Sequence, residues 1–145
     1  MENYHYYSND CFVCGKNNKD GLHLKIEKDE DFAIIKGKID SKFQSFKGIV
    51  HGGIISLLID EVLWYAFYFQ GLTTVTRKLE ITFKKPLKTE INIICKGKIN
   101  KKLAENLYEG IATIEDDNGI IANAKGTFYV KEDLKDKIII FFDKS

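Results

Sequence analysis

The stretch His51-Gly52-Gly53-Ile54-Ile55-Ser56-Leu57-Leu58-Ile59-Asp60-Glu61, running on as VLWYAFYF to Phe69, limits the possible folds of this chain more than any other. Two glycines free the backbone where a helix should begin. Apolar residues then follow on every side, broken only by Ser56, Asp60 and Glu61. A helix that is apolar all round must be buried over most of its surface. Crossing a bilayer takes about 20 largely apolar residues, and this run is too short and too charged for that. It predicts a buried helix in a soluble domain, with carboxylates near its middle. An ionised group in that setting is costly unless it is paired or has a task.

The flanking segments predict what covers the helix. Leu22, Leu24 and Ile26 alternate with His23, Lys25 and Glu27, which puts His23 on a solvent-facing side. Ala33, Ile35, Gly37 and Ile39 alternate with Ile34, Lys36 and Lys38, giving a second strand, and residues 40–50 break the period as a loop. Beyond Gly71, the alternation from Val75 to Phe83 stops near Pro86. Ile91 to Ile99 forms another strand, with Cys95 as a small core residue, and Tyr108 to Glu115 a further one. Asp117-Asn118-Gly119 is a strong hairpin turn. After it, Ile120, Ala122, Ala124, Gly126, Phe128 and Val130 share one strand face, small enough to let a helix lie close. Two strands, one apolar helix and four antiparallel strands joined by short turns predict an α+β fold, the sheet wrapped round the helix.

The helix motif has an HGG opening, an apolar turn and a half, and an acid nine residues after the histidine. It resembles the hotdog-fold acyl-CoA thioesterases, most of all the branch with the phenylacetate-pathway and 4-hydroxybenzoyl-CoA thioesterases. The resemblance runs roughly from Cys11 to Val130. It implies a single hotdog domain over 1–145, a long central helix wrapped by an antiparallel sheet of about six strands. Residues 1–10 are read as an N-terminal arm and 131–145 as a C-terminal extension packed on the domain edge. The pattern CFxCG at 11–15, followed by Asn and Gly-Leu, resembles the N-terminal signature of one hotdog branch and implies a structural turn.

Thioester hydrolysis needs a polarised carbonyl, an activated water or carboxylate nucleophile, and a grip on the thiol carrier. A helix start offers unpaired N–H groups and a positive dipole end. Gly52 and Gly53 let a carbonyl oxygen approach those donors. Asp60 is a general base, or a nucleophile that forms a mixed anhydride. Ser56 and Trp64 share its helix stripe, while Glu61 points about 100° away, on the stripe of Leu57 and Tyr65. At ~1.5 Å per residue, Asp60 lies about 10 Å from the helix start, too far for both to touch one carbonyl. The resemblance resolves this, because hotdog thioesterases pair two subunits and build each site from both.

By position, the resemblance makes Asp60 the catalytic acid, Gly53 the carbonyl-polarising backbone and His51 the residue that orients the loop. The resemblance also implies, in many members, an Asn or Gln a few residues before the His that orients water; the candidates here are Gln44 and Ser45, and Gln44 is preferred. Gly52, Ser56, Trp64 and Thr76 are assigned to the substrate side, with Thr76 also helping to hold the water. Lys84, Lys85, Lys96 and Lys98 form either a solvated face or a grip on coenzyme A phosphates. The implied partners are acyl-CoA and a second copy of the chain, as a homodimer or a homotetramer of two dimers. No cofactor is called for.

Lys+Arg 22 against Asp+Glu 21 leaves a net charge of +1, so no global field favours nucleic acid or a membrane. Arg77 is the only arginine, which restricts bidentate phosphate recognition to one place. MENYHYYSND has neither a basic n-region nor an apolar h-region and predicts no signal peptide. Three cysteines make no disulfide framework, so a reducing cytoplasm is expected. Cys11 and Cys14 invite a zinc or redox reading. A structural zinc needs four ligands, however, and the sequence adds only His5 or His23, so no metal is expected. The preferred reading is a thioester hydrolase. Its rivals are an acyl-CoA-binding hotdog protein without turnover, and a metal or redox module built on Cys11 and Cys14.

Overall fold

The computed structural model describes residues 10–131. The arm at 1–10 apart from Asp10, the extension at 131–145 apart from Lys131, and His5 lie outside the described residues. Strands β1 (Lys25–Asp29) and β2 (Phe32–Lys38) precede a short 3₁₀ turn at Ser41–Phe43 and helix α1 (Gly52–Tyr68). Strands β3 (Thr74–Phe83), β4 (Asn92–Ala104), β5 (Leu107–Asp116) and β6 (Gly119–Val130) follow. The expected sequence of two strands, one helix and four strands is therefore observed. The six strands form one antiparallel sheet in the order β1-β2-β4-β5-β6-β3.

That order differs from a simple run of neighbours after the helix. β3 stands at the far edge beside β6, and the chain then recrosses to place β4 between β2 and β5. The recrossing segment is pinned by buried Leu87, whose carbonyl accepts from Val50 N–H at 2.8 Å. Periodicity marks a strand and its faces but carries no information about its neighbour.

Helix α1 is the centre of the core. Ile55, Leu58, Ile59, Val62, Leu63, Tyr65, Ala66 and Phe67 are buried, and the helix packs on β2, β3, β4 and β5. The closest approach is at two glycines on neighbouring strands. A Cβ on Gly97 would lie 3.0 Å from Val62 Cγ1, and one on Gly110 2.9 Å from Leu63 Cδ2. The small residues of β6 do not serve this purpose. A bulge between Ile114 and Glu115 shifts the β5–β6 register, so Ile121 is buried while Ile120 turns out to 39% exposure. At the other end, β1 begins only at Lys25, because His23 adopts a left-handed φ of 53°. His23 is exposed, as its polar neighbours suggest. Among the described residues no helix is long and apolar enough to cross a membrane.

Because backbone and helix already touch at these two glycines, a branched side chain there forces the layers apart. Gly97→Val and Gly110→Val should each cost about 1–3 kcal/mol, the usual penalty for overpacking a filled core. Urea unfolding should show a lowered midpoint with an unchanged slope; an unchanged midpoint would contradict the close packing.

Candidate active site

The loop before α1 is built to present the helix start. Gln44 Oε1 accepts from Gly48 N–H at 2.9 Å, and Gly48 takes a φ of +77°, which suits a residue without Cβ. Gln44 and Val50 form a bridge, and Ile49 pairs with Lys88. His51 is the N-cap. Its Nδ1 accepts from Gly53 N–H at 2.8 Å, and its carbonyl accepts from Ile54 at 2.9 Å. Acceptance at Nδ1 requires a neutral ring to carry its proton on Nε2.

This geometry refines the roles expected at the helix start. The Gly53 N–H, the expected carbonyl donor, is already engaged by His51 of the same chain. The Gly52 N–H makes no hydrogen bond among the described residues. Gln44 spends its side-chain oxygen on the loop, leaving its amide nitrogen for a water. The Phe83 ring lies 3.7 Å from where a Cβ on Gly52 would stand. Sequence reasoning placed Phe83 on its strand but missed it as a cover for the helix start.

Asp60 lies on a partly open stripe of α1 with Gly53, Ser56, Leu57 and Trp64. Its Oδ1 accepts from Thr76 Oγ1 at 2.6 Å. Thr76 thus holds the carboxylate directly. Ser56 Oγ donates back to Gly52 C=O at 3.0 Å. Trp64 Nε1 donates to Thr74 C=O at 3.1 Å, and its ring stacks on Tyr68 at 5.1 Å. Ser56 and Trp64 are therefore bonded within their own chain, and Trp64 ties the helix to β3.

The lysines separate into two groups. The N–H groups of Lys84 and Lys85 both donate to Ile121 C=O, at 2.7 and 3.2 Å. Lys85 Nζ pairs with Asp116 Oδ1 at 3.0 Å, and this hydrogen bond holds the Asp116 carboxyl below its ordinary range. Lys84 is exposed and adjoins Phe83 at the helix start. Lys96 and Lys98 lie over the Phe32 ring, at 5.9 and 5.3 Å. Gly97 between them faces the helix, so these two lysines are on the opposite face of the sheet, away from α1.

Glu61 points into the protein, as its offset from Asp60 predicts, and is only 7% exposed. Cys11 Sγ donates to its Oε2 at 3.2 Å. Burial first, and Cys11 second, push the Glu61 carboxyl up to about 9. The Cys14 thiol, 3.4 Å from Tyr65 Oη, is pushed up as well, chiefly by its hydrogen bond with Cys11 and then by burial. No spacing rule links residue 11 to residue 61. The one sequence signal was a carboxylate on a stripe otherwise made of Leu57 and Tyr65.

The sequence profile of the Thioesterase superfamily matches residues 47–102. Three solved structures are similar to this chain. A thioesterase superfamily protein aligns with a TM-score of 0.78 at 20% identity, over 90% of this chain and 68% of its own. PaaI, from the phenylacetic acid degradation operon of E. coli, has a TM-score of 0.69 at 20% identity, over 76% and 80%. A hypothetical thioesterase from Streptococcus pneumoniae, solved with coenzyme A, has 0.69 at 22%, over 74% and 88%. No curated protein matches the chain. The fold is the hotdog fold, and the resemblance to the hotdog thioesterase superfamily is borne out.

The His51 cap is testable apart from any activity. His51→Ala should lower stability by about 0.5–2 kcal/mol, and His51→Asn, itself a good cap, should recover most of that. Equal midpoints for wild type and His51→Ala in urea unfolding would show that the cap contributes nothing.

Proposed function

We propose that this hotdog chain is an acyl-CoA thioesterase, releasing a free acid and coenzyme A at sites shared between two subunits. One observation carries the reading: Asp60 is a half-buried carboxylate on the open stripe of an otherwise buried helix, held by Thr76 at 2.6 Å. That hydrogen bond takes one lone pair of Oδ1 and leaves Oδ2 for chemistry. As a general base, Oδ2 accepts a proton from water while the water oxygen bonds to the thioester carbon. The resulting oxyanion takes hydrogen bonds from a helix start, and collapse expels the thiolate of coenzyme A. As a nucleophile, Oδ2 bonds to that carbon itself, the C–S bond breaks to release the thiolate of coenzyme A, and water then opens the anhydride to free acid and the Asp60 carboxylate.

Neighbouring structures support the substrate class. The pneumococcal protein was solved with coenzyme A, and a Streptococcus mutans protein bound to acetyl CoA. Mutants of the pneumococcal protein were also solved, one at an aspartate and one at a threonine sixteen positions later. Asp60 and Thr76 have the same separation.

Distance and the sheet edge support the shared site. Asp60 and the helix start of one chain are about 10 Å apart. Among the described residues β3 pairs only with β6, and Val75 and Phe83 on it are 38% and 52% exposed. A long edge that no described strand covers invites pairing. In the proposed dimer two β3 edges join about a two-fold axis, and the helix start of one chain serves Asp60 of the other. One observation favours the rival reading of binding without turnover, namely the Gly53 donor already held by His51. Turnover requires Gly52 to serve as donor, or the His51 ring to release Gly53. Three buried cysteines, none of them in a disulfide, fit a reducing compartment.

Thiol release should be seen with at least one of a panel of short, medium, long and aromatic acyl-CoAs. On the best substrate, Asp60→Asn should lose ~10²–10⁴-fold in kcat with little change in KM, the mark of an interaction used in the transition state. Glu61→Gln should cost less, through stability. No release from any thioester, or full activity in folded Asp60→Asn, would sink the reading.

Sedimentation should give a dimer or a dimer of dimers. A monomer with full activity would defeat the shared site.

A further inference from the structure

We propose that Cys11, Cys14 and Glu61 form a structural zinc site that clamps the N-terminal loop onto the buried side of α1. The three ligand atoms lie within 4.8 Å of one another, and all three residues are buried. The site stands independently of any turnover of acyl-CoA.

The two thiols are delivered by a C-x-x-C-G turn. Gly15 N–H donates to Cys11 C=O at 2.9 Å, and both cysteines face the interior. The spacing is that of a zinc-binding cysteine pair. The third ligand comes from fifty positions away: Glu61 Oε2 is already 3.2 Å from Cys11 Sγ. Tetrahedral zinc, with bonds of ~2.3 Å to sulfur and ~2.1 Å to oxygen, spaces a sulfur and an oxygen ligand about 3.6 Å apart. A shift of a few tenths of an ångström therefore fits an ion to this pair. Tyr65, one turn beyond Glu61, brings its Oη to 3.4 Å from Cys14 Sγ. There its O–H can donate to the bound thiolate, the kind of outer contact that orients a metal ligand. The described residues supply three of the four ligands that a tetrahedral zinc takes.

The donor set selects the ion. Two soft thiolates with one carboxylate suit zinc, and the hard cations calcium and magnesium prefer oxygen throughout. The competing explanation is plain packing. A plug between loop and helix is best made of Leu or Val, which have no polar atoms to satisfy. Here two thiols and a carboxylate, all buried, meet at one point. The loop they secure has little else to hold it in regular structure. Leu22 N–H donates to Phe12 C=O at 2.8 Å and Leu24 N–H to Val13 C=O at 3.0 Å, and no strand begins before Lys25. The expectation of no metal rested on the lack of further ligands near Cys11 and Cys14 in the sequence, and folding supplies one from the helix.

The full chain, without a histidine tag, should be produced in zinc-supplemented medium and purified with a non-chelating phosphine reductant. Elemental analysis should then find about one zinc per chain, and removing it should lower the Tm, which added zinc restores. Cobalt substitution should give a thiolate-to-metal charge-transfer band in the near ultraviolet. Cys14→Ser and Glu61→Gln should each weaken zinc binding at least tenfold in competition with a chromogenic chelator, and Cys95→Ala should leave it unchanged. Should the first two variants not fold, the cobalt spectrum of the wild type decides. The proposal is overturned by zinc-reconstituted, reduced protein that retains no stoichiometric zinc. It is equally overturned by a cobalt spectrum without the thiolate band, or by wild-type affinity in folded Glu61→Gln.

Discussion

Everything in this protein depends on covering an apolar helix. The sheet covers one side, and it does so closely because Gly97 and Gly110 let Val62 and Leu63 approach the strand backbone. The N-terminal loop covers another side with Cys11, Val13 and Cys14, all in the core. What remains is a single stripe through Gly53, Ser56, Asp60 and Trp64, and β3 runs beside it. The candidate site is the part of the helix that the described sheet and loop leave partly open.

Two adjacent acids show how strongly one helix can separate environments. Asp60 is half-buried and accepts from a hydroxyl on β3. Glu61 is sealed beneath a thiol, and burial, followed by Cys11, pushes its carboxyl upward. The difference follows from helix geometry, since neighbours point about 100° apart and only one can face the open stripe. One acid is available to a substrate and the other to the interior of its own chain.

The fold class was legible because both periods in the sequence were clean: an unbroken apolar run for the helix, and alternation for β3 to β6. The candidate acid was legible from its spacing after His51. Long-range facts were not. The place of β3 at the far edge, the bulge that exchanges Ile120 for Ile121, and the meeting of Cys11 with Glu61 all depend on contacts between distant segments. Hydrogen bonding was also hidden. Ser56 and Trp64 share the right stripe, yet their polar atoms are satisfied by Gly52 and Thr74. Lys96 and Lys98 were grouped with Lys84 and Lys85 by composition, although the sheet puts them on its other face.

The strand order also has a consequence for the chain while it is being made. β3 leaves the ribosome fourth among the six strands and the helix, directly after α1, but its one partner in the sheet is β6, the last to emerge. Until Val130 has been added, both edges of β3 are bare, and so is the row of side chains that includes Thr76. Unpaired edges of that length are where nascent chains stick to one another. The charged residues Arg77, Lys78 and Glu80 in the middle of the strand are suited to guarding it through that interval, and they remain exposed in the finished fold.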